Sequence, residues 1–156
     1  MRRKVFLLSF RLRLNERSSH RHISMIEINN LTSVPVDKNF LKKVAGKIIK
    51  KEKKLLELSI ALVGPAKIKK LNEEYRKKNK ITDVLSFLYN DAGEIVICPK
   101  LIKKNASKYN STFKYELTRV LIHGILHLLG ENHEISKKKA KKMEQKQEYY
   151  LNLFLK

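Results

Sequence analysis

Beyond residue 24 the chain alternates between short β-type runs and segments with helical spacing. MIEINNL (25–31) reads as a first strand. Phe40, Leu41, Val44, Ala45, Ile48 and Ile49 then recur at helical intervals behind Asp37, a natural N-cap. LLELSIALV (55–63) is aliphatic and stops at Gly64-Pro65, which predicts a strand. AKIKKLNEEYRKKN (66–79) predicts a polar helix. TDVLSFLY (82–89) and GEIVIC (93–98) predict two more strands, and Asn90-Asp91-Ala92 before Gly93 predicts a tight antiparallel connection between them. Pro99 ends the second of the pair. STFKYELTRVLIHGILHLLG (111–130) is a long apolar helix suited to the core. SKKKAKKMEQKQEYYLNLFLK (136–156) is a final helix capped by Ser136, with Met143, Tyr150 and Phe154 facing inward. The order β-α-β-α-β-β-α-α predicts an α+β fold, a small mixed four-stranded β-sheet packed with helices. No internal repeat is present.

The 156 residues fit one domain with a proper core, and a 42% hydrophobic content marks a globular chain. No apolar run approaches the roughly 20 residues that span a bilayer, so no stable membrane association is expected. The single cysteine, Cys98, excludes an intrachain disulfide and suits a reducing, cytoplasmic setting. The charge is extreme, with 35 Lys+Arg against 15 Asp+Glu, net +20. Charge on this scale speaks about partners rather than fold. RNA leads as the partner and an acidic membrane surface follows. Abundant Lys, Ile and Asn are also what an AT-rich genome writes, so charge alone leaves the matter open.

Residues 1–24 differ from the rest. They hold Arg2, Arg3, Arg11, Arg13, Arg17 and Arg21, whereas residues 25–156 hold only Arg76 and Arg119 beside 26 lysines. VFLLSF is too short for a secretory signal and ends at Arg11. An Arg-rich organelle presequence is a weak fit. The expectation is a disordered basic extension, with Met25 as the true start and 25–156 as a single domain.

HGILHLLGENH (123–133) carries the candidate chemistry. His123 and His127, four apart, project from one helix face and can share an ion. Gly130 can end the helix in a left-handed turn that returns His133 as a third ligand. Three histidines with an open position describe a catalytic zinc site on the core helix and the turn after it. Imidazole also suits nickel, copper and iron, so zinc is a preference. A lone pair of histidines at this spacing is usually ordinary surface or core chemistry. Here three of the five histidines fall in 11 residues. A metalloprotease would place a glutamate after the first histidine, where Gly124 stands. The glycine serves either access of a bulky ligand to the metal or close packing of helix on sheet.

LNEEYRKKNKITDVLSF (71–87) contains Arg76. Where lysine is the default, a retained arginine suggests planar, bidentate recognition, with phosphate the obvious target. An ordinary salt bridge with Glu73 is the plain alternative. The two stretches together resemble the YbeY family of metal-dependent endoribonucleases. Asn72, Tyr75, Arg76 and Lys78 match its first motif, and Thr82 to Phe87 match its second. Gly93, Glu94, Ile95 and Ile97 match the third. His123, Gly124, Leu126, His127, Leu128, Gly130 and His133 match the last. The family pattern carries the glycine at position 124. It departs at Glu131-Asn132, where a Tyr-Asp is usual, and at Leu88, where a proline often follows.

The resemblance implies a single-strand-specific endoribonuclease that matures ribosomal RNA, notably the small-subunit 3′ end, and serves ribosome quality control. It implies zinc on His123, His127 and His133 and a functional role for Arg76. The partners it implies are single-stranded ribosomal RNA and the ribosome or its small-subunit proteins. In the mechanism expected, zinc would activate a water and polarise the phosphodiester while Arg76 would meet the added negative charge, and the sequence leaves open whether water or the RNA's own 2′-OH is the nucleophile. Glu131 and Glu134 are candidates for a general base, with neither preferred. Asp83 and Ser86 either line the site or brace the strand. The rival classes are a ribosome-assembly factor that binds RNA around a structural metal, and a metallopeptidase.

Overall fold

The computed structural model describes residues 25–54, 57–89, 92–130 and 136–156. The elements are β1 (Ile26–Asn30), α1 (Lys38–Lys51), β2 (Glu57–Leu62), α2 (Pro65–Arg76), β3 (Val84–Tyr89), β4 (Ala92–Ile97), α3 (Pro99–Lys108), α4 (Phe113–Leu128) and α5 (Lys137–Leu155). The sheet order is β1-β2-β4-β3. β1, β2 and β4 run parallel, and β3 pairs antiparallel with β4, so the sheet is mixed as expected. The register Tyr89↔Ala92 makes β3 and β4 a hairpin. The two residues at its tip, 90–91, lie outside the described residues, as does the extension 1–24.

The sequence pattern follows from position in the sheet. β2 and β4 are interior strands covered on both faces, and they read as nearly continuous apolar runs. β3 is an edge strand with only Leu85 buried. One sheet face presents Ile28, Leu58, Ile60, Leu62, Ile95 and Ile97 to α1, α4 and α5. The other presents Ala61, Val63, Leu85 and Val96 to Ile68 and Leu71 of α2. Because successive side chains of a strand point to opposite faces, α2 and α4 lie on opposite sides of the sheet. α1 buries Leu41, Val44, Ala45, Ile48 and Ile49. Each large aliphatic of that stripe contributes about 1.5–3 kcal/mol, more than helix propensity could supply.

The caps fall where the sequence placed them. Asp37 accepts from Phe40 N–H at 2.9 Å, and Ser136 Oγ accepts from Lys139 N–H at 3.2 Å. Pro65, read as a strand stop, is also the first residue of α2. One helix was not expected. Pro99 does end β4, but it opens α3 at once, and Ile102 and Ala106 of α3 are buried one turn apart. Five lysine and asparagine positions around them mask that stripe.

Candidate metal centre

α4 starts at Thr112, whose Oγ accepts from Tyr115 N–H at 3.1 Å. It is buried along most of its length, from Leu117 to Leu128. His123 and His127 are half-buried interruptions of that apolar surface. Their Nε2 atoms lie 3.1 Å apart, and the rings meet edge-on with centroids 4.6 Å apart. Two imidazoles bound to one tetrahedral zinc at about 2.05 Å would have their nitrogens roughly 3.3 Å apart. The pair therefore matches one edge of such a coordination shell to within a few tenths of an ångström. Gly130 has the left-handed backbone (φ +93°) expected at the helix end, and its N–H returns to His127 O at 3.1 Å. His133, Glu131 and Glu134 fall in residues 131–135, outside the described residues.

A Cβ at Gly124 would come within 3.2 Å of Ser86 Oγ and 3.3 Å of two Ile95 carbons. The helix packs closely on the sheet here, which supports the packing reading of the glycine. Ser86 Oγ donates to Gly124 O at 3.3 Å, so Ser86 ties β3 to the helix turn between the two histidines. Asp83 extends the β3–β4 ladder by accepting from Cys98 N–H at 2.9 Å.

One partner of the site was missed in the sequence. Gln147 Oε1 of α5 lies 2.9 Å from His123 Nδ1. Its signal is a polar residue on the inward stripe of α5, between Met143 and Tyr150.

Arg76 is the last residue of α2 and is exposed, while the body of α2 packs on the sheet face opposite α4. Lys77 ends the helix in the left-handed region (φ +58°). Asn72 is buried, and its Nδ2 donates to Lys80 O at 2.9 Å, which folds the loop 77–83 back onto α2 before β3. Tyr75 packs at a tilt against Phe87 with ring centroids 5.2 Å apart. Arg76 makes no hydrogen bond or ion pair among the described residues, so the salt bridge with Glu73 does not form. Arg119, by contrast, is bound to Glu116 at 2.8 Å. Burial pushes the Glu94 carboxyl up to about 7. Glu94 pairs with Phe87 across the hairpin and precedes Ile95, so it faces the α2 side and stands apart from the histidines.

No helix among the described residues is long and apolar enough to cross a membrane. A family described as Endoribonuclease YbeY matches residues 26–154. A relative of that name from Thermodesulfovibrio yellowstonii is 44% identical over 118 residues, 70% of this chain and 74% of the relative. Another, from Thermotoga neapolitana, is 44% identical over 119 residues, 73% of this chain and 80% of the relative. A solution structure of a Thermotoga maritima protein superposes with a TM-score of 0.64 at 38% identity, covering 83% of this chain and 89% of that one. With the four motifs of the sequence set on this fold, the chain belongs to the endoribonuclease YbeY family.

Proposed function

We propose that this chain is a metal-dependent endoribonuclease that cuts single-stranded ribosomal RNA during ribosome maturation, with residues 25–156 as its single catalytic domain. The observation that carries this reading is the His123–His127 pair, with Nε2 atoms 3.1 Å apart, in a chain whose relatives are named endoribonucleases. His123, His127 and His133 would hold a zinc ion and leave one position open. Bound there, zinc would supply Lewis-acid polarisation of the phosphodiester and lower the pKa of a water toward neutrality. Arg76 is free of acidic partners among the described residues, so its guanidinium is available to the phosphate and to the charge that develops on it. The surplus of lysines would hold the RNA backbone, and unstacked single strands can bend to present a phosphodiester to the histidines. The 3′ end of small-subunit RNA is the substrate proposed, with the ribosome as partner. Free, buried Cys98 suits the reducing cytoplasm.

The test is cleavage of labelled single-stranded RNA by the full chain beside His127→Ala. Loss of cutting with RNA binding kept is the expected result. Equal cutting by both would trace the activity to a contaminant and sink the metal-centre reading. RNA binding without cutting by the zinc-loaded wild type would make the protein an assembly factor.

A further inference from the structure

An imidazole can give a metal only the nitrogen that carries no proton, so the partner of its other nitrogen decides whether it is a ligand. In His123 that partner is Gln147. Its Oε1, 2.9 Å from Nδ1, is a carbonyl oxygen and can only accept. The proton of neutral His123 is therefore on Nδ1, and the lone pair is on Nε2, the atom that faces His127 Nε2. The hydrogen between the two rings would then be carried by His127 Nε2, which would have to release it for both Nε2 atoms to face one cation.

Gln147 is itself held in place. One residue before it, Lys146 Nζ donates to Glu52 Oε2 at 2.9 Å. Three residues after it, Tyr150 OH donates to Glu52 Oε1 at 2.6 Å. Both bonds pin α5 to the end of α1, while Met143, Tyr150 and Leu151 are buried against the core. Gln147 thus comes from a helix whose rotation is fixed on either side of it.

The geometry points to Gln147 as the positioning residue of the metal centre, the group that fixes the tautomer and ring angle of His123 so that Nε2 is offered to the metal. This rests on the proposed zinc reading of the histidines. It requires only an acceptor at that place, so a carboxylate should serve and an aliphatic chain of similar size should not.

The experiment uses the full chain and two readouts that do not depend on RNA cleavage. Zinc affinity is measured by competition with a chelator for wild type, Gln147→Leu, Gln147→Glu and His127→Ala. The His123 tautomer is read from ring-nitrogen shifts of the metal-free protein. Gln147→Leu should weaken zinc roughly 10–100-fold, and the proton of His123 should no longer be confined to Nδ1. Gln147→Glu should bind at least as tightly as wild type, which a packing role for Gln147 would not produce. Unchanged zinc affinity and tautomer in Gln147→Leu, with affinity lost in His127→Ala, would overturn the role of Gln147 and leave the metal centre standing. Unchanged affinity in His127→Ala would overturn both.

Discussion

His123 and His127 stand on a helix buried along most of its length, in contact with each other, and His123 also meets Gln147. Arg76 ends a helix in which only Ile68 and Asn72 are buried, and no acid among the described residues holds it. The difference suits the roles proposed for these side chains. A metal ligand has to be in place before the ion arrives, because ordering it later would subtract from affinity. A cation that meets a phosphate gains from remaining unpaired, since an internal salt bridge would have to break first. α4 packs rigidly against one face of the sheet, and α2, with Arg76 at its open end, packs against the other.

The largest effect should come from the rigid side. Dialysis against a chelator, or His127→Ala, should lower the cleavage rate at least about 1000-fold, the scale of several kcal/mol of Lewis-acid stabilisation. Added zinc should restore the dialysed protein and leave the variant inactive. Full activity after verified metal removal would break the assignment of catalysis to this face.

On the open side, Arg76→Ala should lower kcat by roughly 100–1000-fold while zinc affinity stays unchanged. Arg76→Lys should recover little of it, because an ammonium cannot reproduce the planar fork. If Arg76→Ala weakened zinc as much as His127→Ala does, Arg76 would act through the metal centre rather than on the phosphate. If it changed only RNA affinity, Arg76 would be a binding residue rather than a catalytic one.

How much of this was legible depended on how local each feature is. The histidine pair could be read because residues four apart on one helix meet whatever surrounds the helix. The strands could be read because β2 and β4 are apolar throughout and the hairpin residues announce the turn. α3 could not, since only Pro99, Ile102 and Ala106 are buried in a segment otherwise rich in lysine and asparagine. The contact of Gln147 with His123 spans 24 residues and exists only because α5 packs on α4. Close packing at Gly124 was one of two readings of the sequence, but which residues crowd it was hidden, because Ser86 and Ile95 reach it from two strands distant in sequence.

Glu94 tests the α2 side through stability. The folded protein keeps its proton up to about pH 7, against an ordinary value of 4.5 for the free carboxyl. Folding therefore takes up a proton between those limits, and stability falls as pH rises through the window. Glu94→Gln should be nearly neutral at pH 4 and stabilising above pH 7, by at most about 3 kcal/mol at 1.36 kcal/mol per unit. Urea melts across that range would measure it. Zinc affinity should not move, because Glu94 faces away from α4. A flat difference between variant and wild type from pH 4 to 8 would mean the carboxyl is solvated.

Gly124→Ala makes the smallest and most discriminating change on the histidine side. Alanine should gain about 0.5–1 kcal/mol from helix propensity. Against this, the new Cβ would press on the fully buried Ile95 and on Ser86 Oγ, which can turn away only by releasing Gly124 O. Overpacking of that kind costs about 1–3 kcal/mol, so a net loss of roughly 1 kcal/mol is expected in the metal-free protein. Relief of that pressure tilts the helix turn that carries both histidines, so zinc should weaken in the same variant. Ser86→Ala adds nothing to the crowding and should restore part of both losses when combined with Gly124→Ala. A stabilised Gly124→Ala would mean that the sheet gives way there, and that the spacing of the two imidazoles is set by the helix alone.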